Sequence, residues 1–290
     1  MNLDRNQEVP HDYVLEESQI MFFVGTEISA AVLSSILLVL GMYPDVQKKI
    51  DEELNAIFGD SDRDPTLEDV NHMQYLDRVL KETMRLLPPL PFIMRYIDEN
   101  VRLGPYVLPK DTRFIVPVAV VHRRPEFWPD PDKFDPDRFL PEEAEKRPVC
   151  SYIPFSYGAR NCIAYKYGLL SIKIILSTFL RSYRITSSNY KSIQDIDLFI
   201  HVVAKPKNGY KITIEKKDKV VAIFFVVGTH AVHTSTTDNL SNTQNVVKLI
   251  SGRYEVEICI TVRRCLPMFS VTHHQGTAPH GPLIRPLINC

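Results

Sequence analysis

Phe155-Ser-Tyr-Gly158-Ala-Arg160-Asn-Cys162-Ile-Ala164 is the most informative segment of this 290-residue chain. It places a cysteine on a tight loop, with a glycine for the turn and an arginine two residues before the thiol. The run from Ile163 to Tyr183 is apolar and has a helical pattern. A thiolate at a helix start is stabilised by the helix dipole and by nearby N–H groups. The segment therefore predicts a metal-binding thiolate, with a structural thiol near a loop as the alternative.

This loop and a second motif upstream resemble the cytochrome P450 family. The family pattern is Phe-x-x-Gly-x-Arg-x-Cys-x-Gly or Ala, and residues 155–164 fill every fixed position. Upstream, the segment Lys81-Glu82-Thr-Met-Arg85-Leu contains the family's Glu-x-x-Arg pair.

A third motif lies between those two and extends the resemblance. Trp128-Pro-Asp-Pro-Asp-Lys-Phe-Asp-Pro136-Asp-Arg138-Phe139 is similar to the P450 meander segment. The likeness runs from about Asp12 to about Lys217 and is to the animal family-4 group in particular. It implies a mainly α fold with small β-sheets, namely the C-terminal part of the P450 fold.

The resemblance implies roles for the residues of the loop. Cys162 would be the proximal thiolate ligand of haem b (iron protoporphyrin IX), a ligation that favours O–O cleavage. Arg160 and Arg95 would each hydrogen-bond a haem propionate, because a guanidinium fork suits a carboxylate. Phe155 and Gly158 are expected beside the cofactor, with Phe155 limiting access to the sulfur.

The oxygen-activating motif of the family has a counterpart in Val24-Gly25-Thr26-Glu27-Ile28-Ser29, which departs from the pattern. Gly25 can open the helix for dioxygen, and Glu27 can supply the acid. Ile28 stands where the family has the threonine that assists proton delivery, and a hydrocarbon cannot donate a proton. Ser29 lies about 100° further round the helix and does not simply replace it. Val24 replaces the acid that some family-4 members use to attach haem covalently, so we expect no covalent haem.

Glu82 and Arg85 are i,i+3 neighbours on one helix face. The resemblance implies that they form a buried structural network with Arg138. A solvated helix pair is the alternative for an isolated Glu-x-x-Arg motif.

The composition excludes several classes of protein. The formal net charge is −1, so the chain has no electrostatic signature of nucleic-acid binding. Its hydrophobic content of 44% and charged content of 24% are ordinary for a globular protein. The five cysteines show no CxxC spacing, which argues against a zinc ribbon or disulfide scaffold and favours a reducing compartment.

The hydrophobic periodicity predicts the elements of the fold. We expect helices over residues 13–42, 45–58, 73–87 and 162–183, short strands between residues 92 and 120, a capping box in Thr66-Leu-Glu-Asp69, and a closing hairpin of Val202–Ala204 with Tyr210–Ile214. The apolar run from Ile20 to Met42 is interrupted by Glu27, and its uncharged part is shorter than a membrane span requires. It is interpreted as a core helix.

Two regions are expected. Residues 1–217 form a partial P450 domain, and residues 218–290 form an unrelated, poorly ordered tail in which charge density falls by about half. Five of the nine histidines lie in this tail, and the pairs His230/His233 and His273/His274 suggest metal binding. An unselected extension, such as translated non-coding sequence, is the preferred interpretation.

The predicted function is insertion of one oxygen atom into a lipophilic substrate such as a fatty acid, hormone or xenobiotic. NADPH–cytochrome P450 reductase is the implied electron donor. Full-length members of the family are expected on the cytoplasmic face of the endoplasmic reticulum membrane. The region N-terminal to the long helix, with the membrane anchor, is expected to be absent here, which would leave the chain cytoplasmic. The alternative is an inactive P450 fragment that binds haem weakly or not at all, and a third possibility is a single-pass membrane protein with a metal-binding tail.

Overall fold

The structure is a computed structural model that describes residues 9–217, together with the backbone of residues 248–250 and 253–258. The described part is mainly helical. The α-helices are α1 (His11–Met42), α2 (Pro44–Phe58), α3 (Leu67–His72), α4 (Gln74–Leu86), α5 (Val118–Val121), α6 (Pro141–Ala144) and α7 (Tyr165–Ser182).

The strands form small antiparallel sheets. Three two-stranded sheets pair β1 (Ile93–Tyr96) with β4 (Arg113–Val116), β2 (Val101–Leu103) with β3 (Tyr106–Leu108), and β6 (Leu198–Ile200) with β7 (Ala204–Pro206). A four-stranded sheet has the order β5 (Tyr183–Ser188), β8 (Tyr210–Lys216), β10 (Arg253–Ile258) and β9 (Lys248–Ile250). These sheets and the helices confirm the predicted fold class.

The capping box predicted before α3 is confirmed. The Thr66 hydroxyl accepts the Asp69 N–H at 3.2 Å, and the Asp69 carboxylate accepts the Thr66 N–H at 2.8 Å. Two donors that would otherwise lack a partner at the helix start are thereby satisfied.

The predicted closing hairpin is wrong. Ala204–Pro206 pairs with Leu198–Ile200, whereas Tyr210–Lys216 pairs with Tyr183–Ser188, so the two predicted partners belong to different sheets. Gly209 does make a turn there, with φ of 72°. The turn alone does not choose the partner, because β8 can bury Tyr210 and Ile212 beside β5 and the helices.

One hydrophobic core joins the C-terminal half of α1 to α2, α4 and α7, with β5 and β8 alongside. Its fully buried side chains include Ile36, Leu38, Leu40, Ile50, Leu76, Leu80, Leu176 and Leu180. By length and composition α1 could cross a membrane, but 56% of its most apolar stretch is buried in protein. That burial is typical of a core helix. Its N-terminal half leaves apolar side chains exposed, among them Ile20, Met21, Phe22 and Phe23.

Candidate functional site

The cysteine loop, residues 153–162, is closed by its own main-chain hydrogen bonds. The Ser156 N–H donates to the Ile153 carbonyl at 3.1 Å, and the Cys162 N–H donates to the Phe155 carbonyl at 2.9 Å. The second bond brings the cysteine back beside the start of the loop. The backbone of Cys162 is therefore held by hydrogen bonds within the loop. It is not part of the α7 helix, which begins only at Tyr165.

Two residues of this loop have a left-handed backbone conformation, and one of them is the glycine of the sequence motif. Gly158 has φ of 87°, and Ser156 has φ of 65°. A Cβ on Gly158 would have no heavy atom within 4 Å, so the backbone angle, not the available space, favours glycine there. The strained Ser156 is tied down by its hydroxyl, which accepts a hydrogen bond from the Arg95 guanidinium on β1.

The side chains predicted around the thiol differ in exposure. The Cys162 residue is partly buried and forms no disulfide with another described cysteine. Phe155 packs against the hydrophobic core, with its ring centroid 6.3 Å from that of Tyr165. Arg160 is exposed, whereas Arg95 is partly buried through its contact with the loop. Arg95 and the loop are thus brought together, whereas Arg160 forms no hydrogen bond with another described residue.

The predicted acid on α1 is paired with a residue that the sequence did not single out. Glu27 is buried, and its Oε1 forms an ion pair with Lys205 Nζ on β7. Its other oxygen, Oε2, is buried and accepts no hydrogen bond from any described group. Gly25 lies on the exposed side of the same helix, and a Cβ there would have no heavy atom within 4 Å. Ser29 is partly buried.

Glu82 and Arg85 form a fully buried bidentate ion pair on α4. Arg85 Nε and Nη2 lie 2.7 Å and 2.9 Å from the two carboxylate oxygens of Glu82. Arg138 Nε lies 3.7 Å from Glu82 Oε1, and the Asp135 N–H donates to that same oxygen at 2.8 Å. The structure therefore brings together the three residues of the predicted network.

The same network connects α4 to the irregular segment after α5. Arg85 donates to the main-chain carbonyls of His122 at 2.9 Å, Pro131 at 2.7 Å and Lys133 at 3.2 Å. Burial raises the pKa of Glu82 above its usual value, although the hydrogen bonds and charge of Arg85 oppose this. Through these hydrogen bonds, the buried pair fixes the backbone of the meander-like segment against α4.

Sequence reasoning missed two buried residues that connect this network to the start of the cysteine loop and to the segment just before it. His122 Nε2 accepts the Ile153 N–H at 2.8 Å, and Trp128 Nε1 donates to the Ser151 carbonyl at 3.3 Å. Arg85 and Arg147 lie over the Trp128 ring, at 4.9 Å and 4.3 Å from its centroid. The only sequence signal was the position of both residues in and just before the meander-like motif.

The described residues offer no multi-residue metal site. No group of three or more His, Cys, Asp or Glu residues lies close enough to hold a metal ion within this part of the chain. The histidine pairs of the predicted tail lie outside the described residues. A metal at the cysteine loop would therefore be bound through Cys162 and through a cofactor that supplies the remaining ligands.

Comparison with known proteins gives a consistent result. The family model described as cytochrome P450 matches residues 2–214. The chain is 42% identical over 207 residues to cytochrome P450 4g1 of Drosophila melanogaster, a match that covers 70% of this chain and 37% of that relative. It is 36% identical over 215 residues to human cytochrome P450 4V2, covering 74% of this chain and 41% of that relative. It is also 36% identical over 206 residues to cytochrome P450 4c3 of Drosophila melanogaster, covering 71% of this chain and 38% of that relative. The chain thus spans about two fifths of the length of the curated relatives it matches.

Proposed function

The chain belongs to the cytochrome P450 family, and on this premise we propose that it serves as a haem-dependent monooxygenase with Cys162 as the axial ligand of haem b. This proposal is supported above all by the closed loop, which holds a partly buried thiol that forms no disulfide with another described cysteine. The family match does not favour the alternative of an inactive fragment.

The residues present fit a haem in the chemistry they offer. A porphyrin carries four in-plane nitrogens, an apolar surface and two carboxylates, so it needs one axial donor, apolar contacts and cations. The Cys162 thiol would supply the donor, and Phe22 and Phe23, which are exposed on α1 shortly before Gly25, would supply apolar surface. Arg95 and Arg160 are the guanidinium groups that would bind the carboxylates.

Haem bound through a thiolate supplies oxygen activation, because this ligand favours O–O cleavage. The residues of the chain itself would hold the sulfur in position and take part in proton transfer. Glu27 Oε1 is paired with Lys205, so Oε2, which has no described hydrogen-bond partner, is the atom through which this carboxyl group would take part in proton transfer. Ile28 provides no hydroxyl beside it, so proton transfer depends on Glu27 or on water reaching it.

The family resemblance supports the finer parts of this proposal. The substrate is a lipophilic small molecule of the kind oxidised by family-4 enzymes, such as a fatty acid, hormone or xenobiotic. The electron donor is NADPH–cytochrome P450 reductase. The protein acts at the cytoplasmic face of the endoplasmic reticulum membrane, where both that donor and lipophilic substrates are found.

The ligand assignment is tested with the full 290-residue chain loaded with haem, reduced and exposed to carbon monoxide. We expect the strongly red-shifted absorption band of a thiolate-bound carbonyl complex in the wild type and in Cys150→Ser, a matched control at an exposed cysteine. The band should be absent in Cys162→Ser. Its survival there would assign the ligand to another residue. Oxygenated product formed from a fatty-acid panel with the reductase and NADPH then tests the activity itself.

A further inference from the structure

His122 is a buried histidine that the proposed function leaves without a role. It follows α5 and has no exposed surface. Its carbonyl accepts a hydrogen bond from Arg85 Nη1 at 2.9 Å, and its ring Nε2 accepts the Ile153 N–H at 2.8 Å. The residue thus joins the buried Glu82–Arg85 pair to the first residue of the cysteine loop.

Main-chain hydrogen bonds within the loop connect Ile153 to the backbone of Cys162. The Ile153 carbonyl accepts the Ser156 N–H, and the Phe155 carbonyl accepts the Cys162 N–H. Since both bonds lie within ten residues of one closed loop, the position of Ile153 constrains the position of Cys162. Because Nε2 acts as an acceptor, the imidazole must be neutral, with its proton on Nδ1.

We propose that His122 is a positioning residue for the cysteine loop, and that the neutral form of its imidazole holds the Cys162 thiol in place by accepting the Ile153 N–H. Its relevance to catalysis rests on the proposed function of Cys162, whereas the link itself requires no haem. The loop is therefore expected to loosen when this imidazole becomes protonated.

The surroundings of the ring keep it neutral near pH 7. Burial, followed by the positive charge of Arg85, lowers the pKa of His122 to about 4, and Arg123 contributes in the same direction. The Glu82 carboxylate is paired with Arg85, and the Tyr152 ring, another titratable neighbour, has its centroid 5.0 Å from that of His122. Protonation would remove the acceptor on Nε2 and add a cation beside two arginines.

The test compares His122→Gln, which retains an acceptor but cannot titrate, with His122→Phe, which fills the space without an acceptor. The matched control is His72→Gln, which replaces an exposed histidine on α3. Amide hydrogen exchange reports the Ile153 N–H, and iodoacetamide alkylation reports the thiol. Trypsin cleaves after Arg160, so Cys162 and the reference thiol Cys150 fall on separate peptides. Both measurements use the full chain without haem.

We expect His122→Phe to lower the protection of the Ile153 amide and to raise the alkylation of Cys162 relative to Cys150, each by roughly tenfold. His122→Gln should retain most of the wild-type protection at pH 7. Acidification towards pH 4 should loosen the loop in the wild type and in His72→Gln, but not in His122→Gln.

Two results would overturn the proposal. One is unchanged protection and alkylation in a folded His122→Phe protein. If that variant does not fold, the test uses His122→Gln. A loss of Ile153 amide protection in acid equal to that of the wild type would then show that another group controls the loop. A failed carbonyl spectrum in the haem experiment would refute the function of Cys162 and leave this link intact.

Discussion

At the scale of single residues, the candidate site depends on main-chain hydrogen bonds as much as on side chains. Ser156 adopts a left-handed backbone that costs on the order of 1 kcal/mol in a residue other than glycine. The Arg95 guanidinium binds its hydroxyl, and its own N–H binds the Ile153 carbonyl. A non-glycine residue is tolerated there because its hydroxyl and its N–H are both hydrogen-bonded in the folded protein.

His122 also predicts how the stability of the chain depends on pH. Its pKa is about 4 in the folded protein against 6.5 for the ordinary group, so the unfolded state binds its proton first as the pH falls. The stability contribution is fully present above pH 6.5 and is lost between pH 6.5 and pH 4, amounting to about 3 kcal/mol. Urea unfolding across this range should show that loss in the wild type and much less of it in His122→Gln. An identical pH profile in the two proteins would contradict this assignment.

At the scale of elements, the end of α1 approaches the strand β5 so closely that only glycine fits at the contact. A Cβ on Gly41 would lie 2.9 Å from the main chain of Ser187 and from the Ser188 side chain. Gly168 on α7 has open space, with no heavy atom within 4 Å of a Cβ. One glycine thus allows two elements to approach closely, and the other only weakens its own helix.

The two glycines make a matched pair for mutation. Gly41→Ala should destabilise the protein by about 1–3 kcal/mol, because β5 would have to move away from α1. Gly168→Ala should stabilise it by about 0.5–1 kcal/mol, because alanine favours a helix. Chemical denaturation measures both changes, and a Gly41→Ala protein as stable as the wild type would show that the close approach of α1 and β5 does not require glycine.

The buried pair on α4 is the second feature at this scale, and its removal should be costly. Glu82→Gln leaves the Arg85 guanidinium buried without a counter-charge, so we expect a loss of about 3–5 kcal/mol in unfolding free energy. The control is Glu143→Gln, which breaks the exposed Glu143–Lys146 pair and should cost less than about 1 kcal/mol. Similar losses in both variants would mean that Glu82 is not the partner that keeps Arg85 buried.

At the scale of the whole molecule, the described hydrophobic core is contained in the part that matches the P450 family. The core side chains lie between Ile28 and Ile214, inside the family match over residues 2–214. β10 lies beyond this range and pairs along β8, from Arg253 opposite Glu215 to Ile258 opposite Tyr210. The predicted separate tail at residues 218–290 otherwise lies outside the described residues.

Truncation after Lys217 tests this division of the chain. We expect the thermal midpoint and haem content to stay unchanged, because none of the described core side chains comes from the removed segment. A second variant that ends at Cys259 retains β9 and β10 and serves as the comparison. A clearly lower midpoint in the shorter variant alone would show that pairing of β10 with β8 stabilises the domain.

Much of this architecture follows from local sequence patterns. The helices follow from apolar periodicity, the start of α3 follows from Thr66 and Asp69, and the cysteine loop follows from Gly158 and its neighbours. Each of these features depends on residues within one or two turns of one another. Spacing along the chain is therefore sufficient to predict them.

The partners of the buried polar groups could not be predicted in this way. Ile153 pairs with His122 across 31 positions, and Lys205 pairs with Glu27 across 178. The strand Tyr210–Lys216 likewise pairs with Tyr183–Ser188 rather than with Ala204–Pro206, which is nearer along the sequence. Such pairings arise when the packed core excludes water and leaves each buried donor or acceptor only the partners that tertiary folding brings within reach. Local periodicity contains no information about which distant group that will be, so the tertiary structure was needed to identify them.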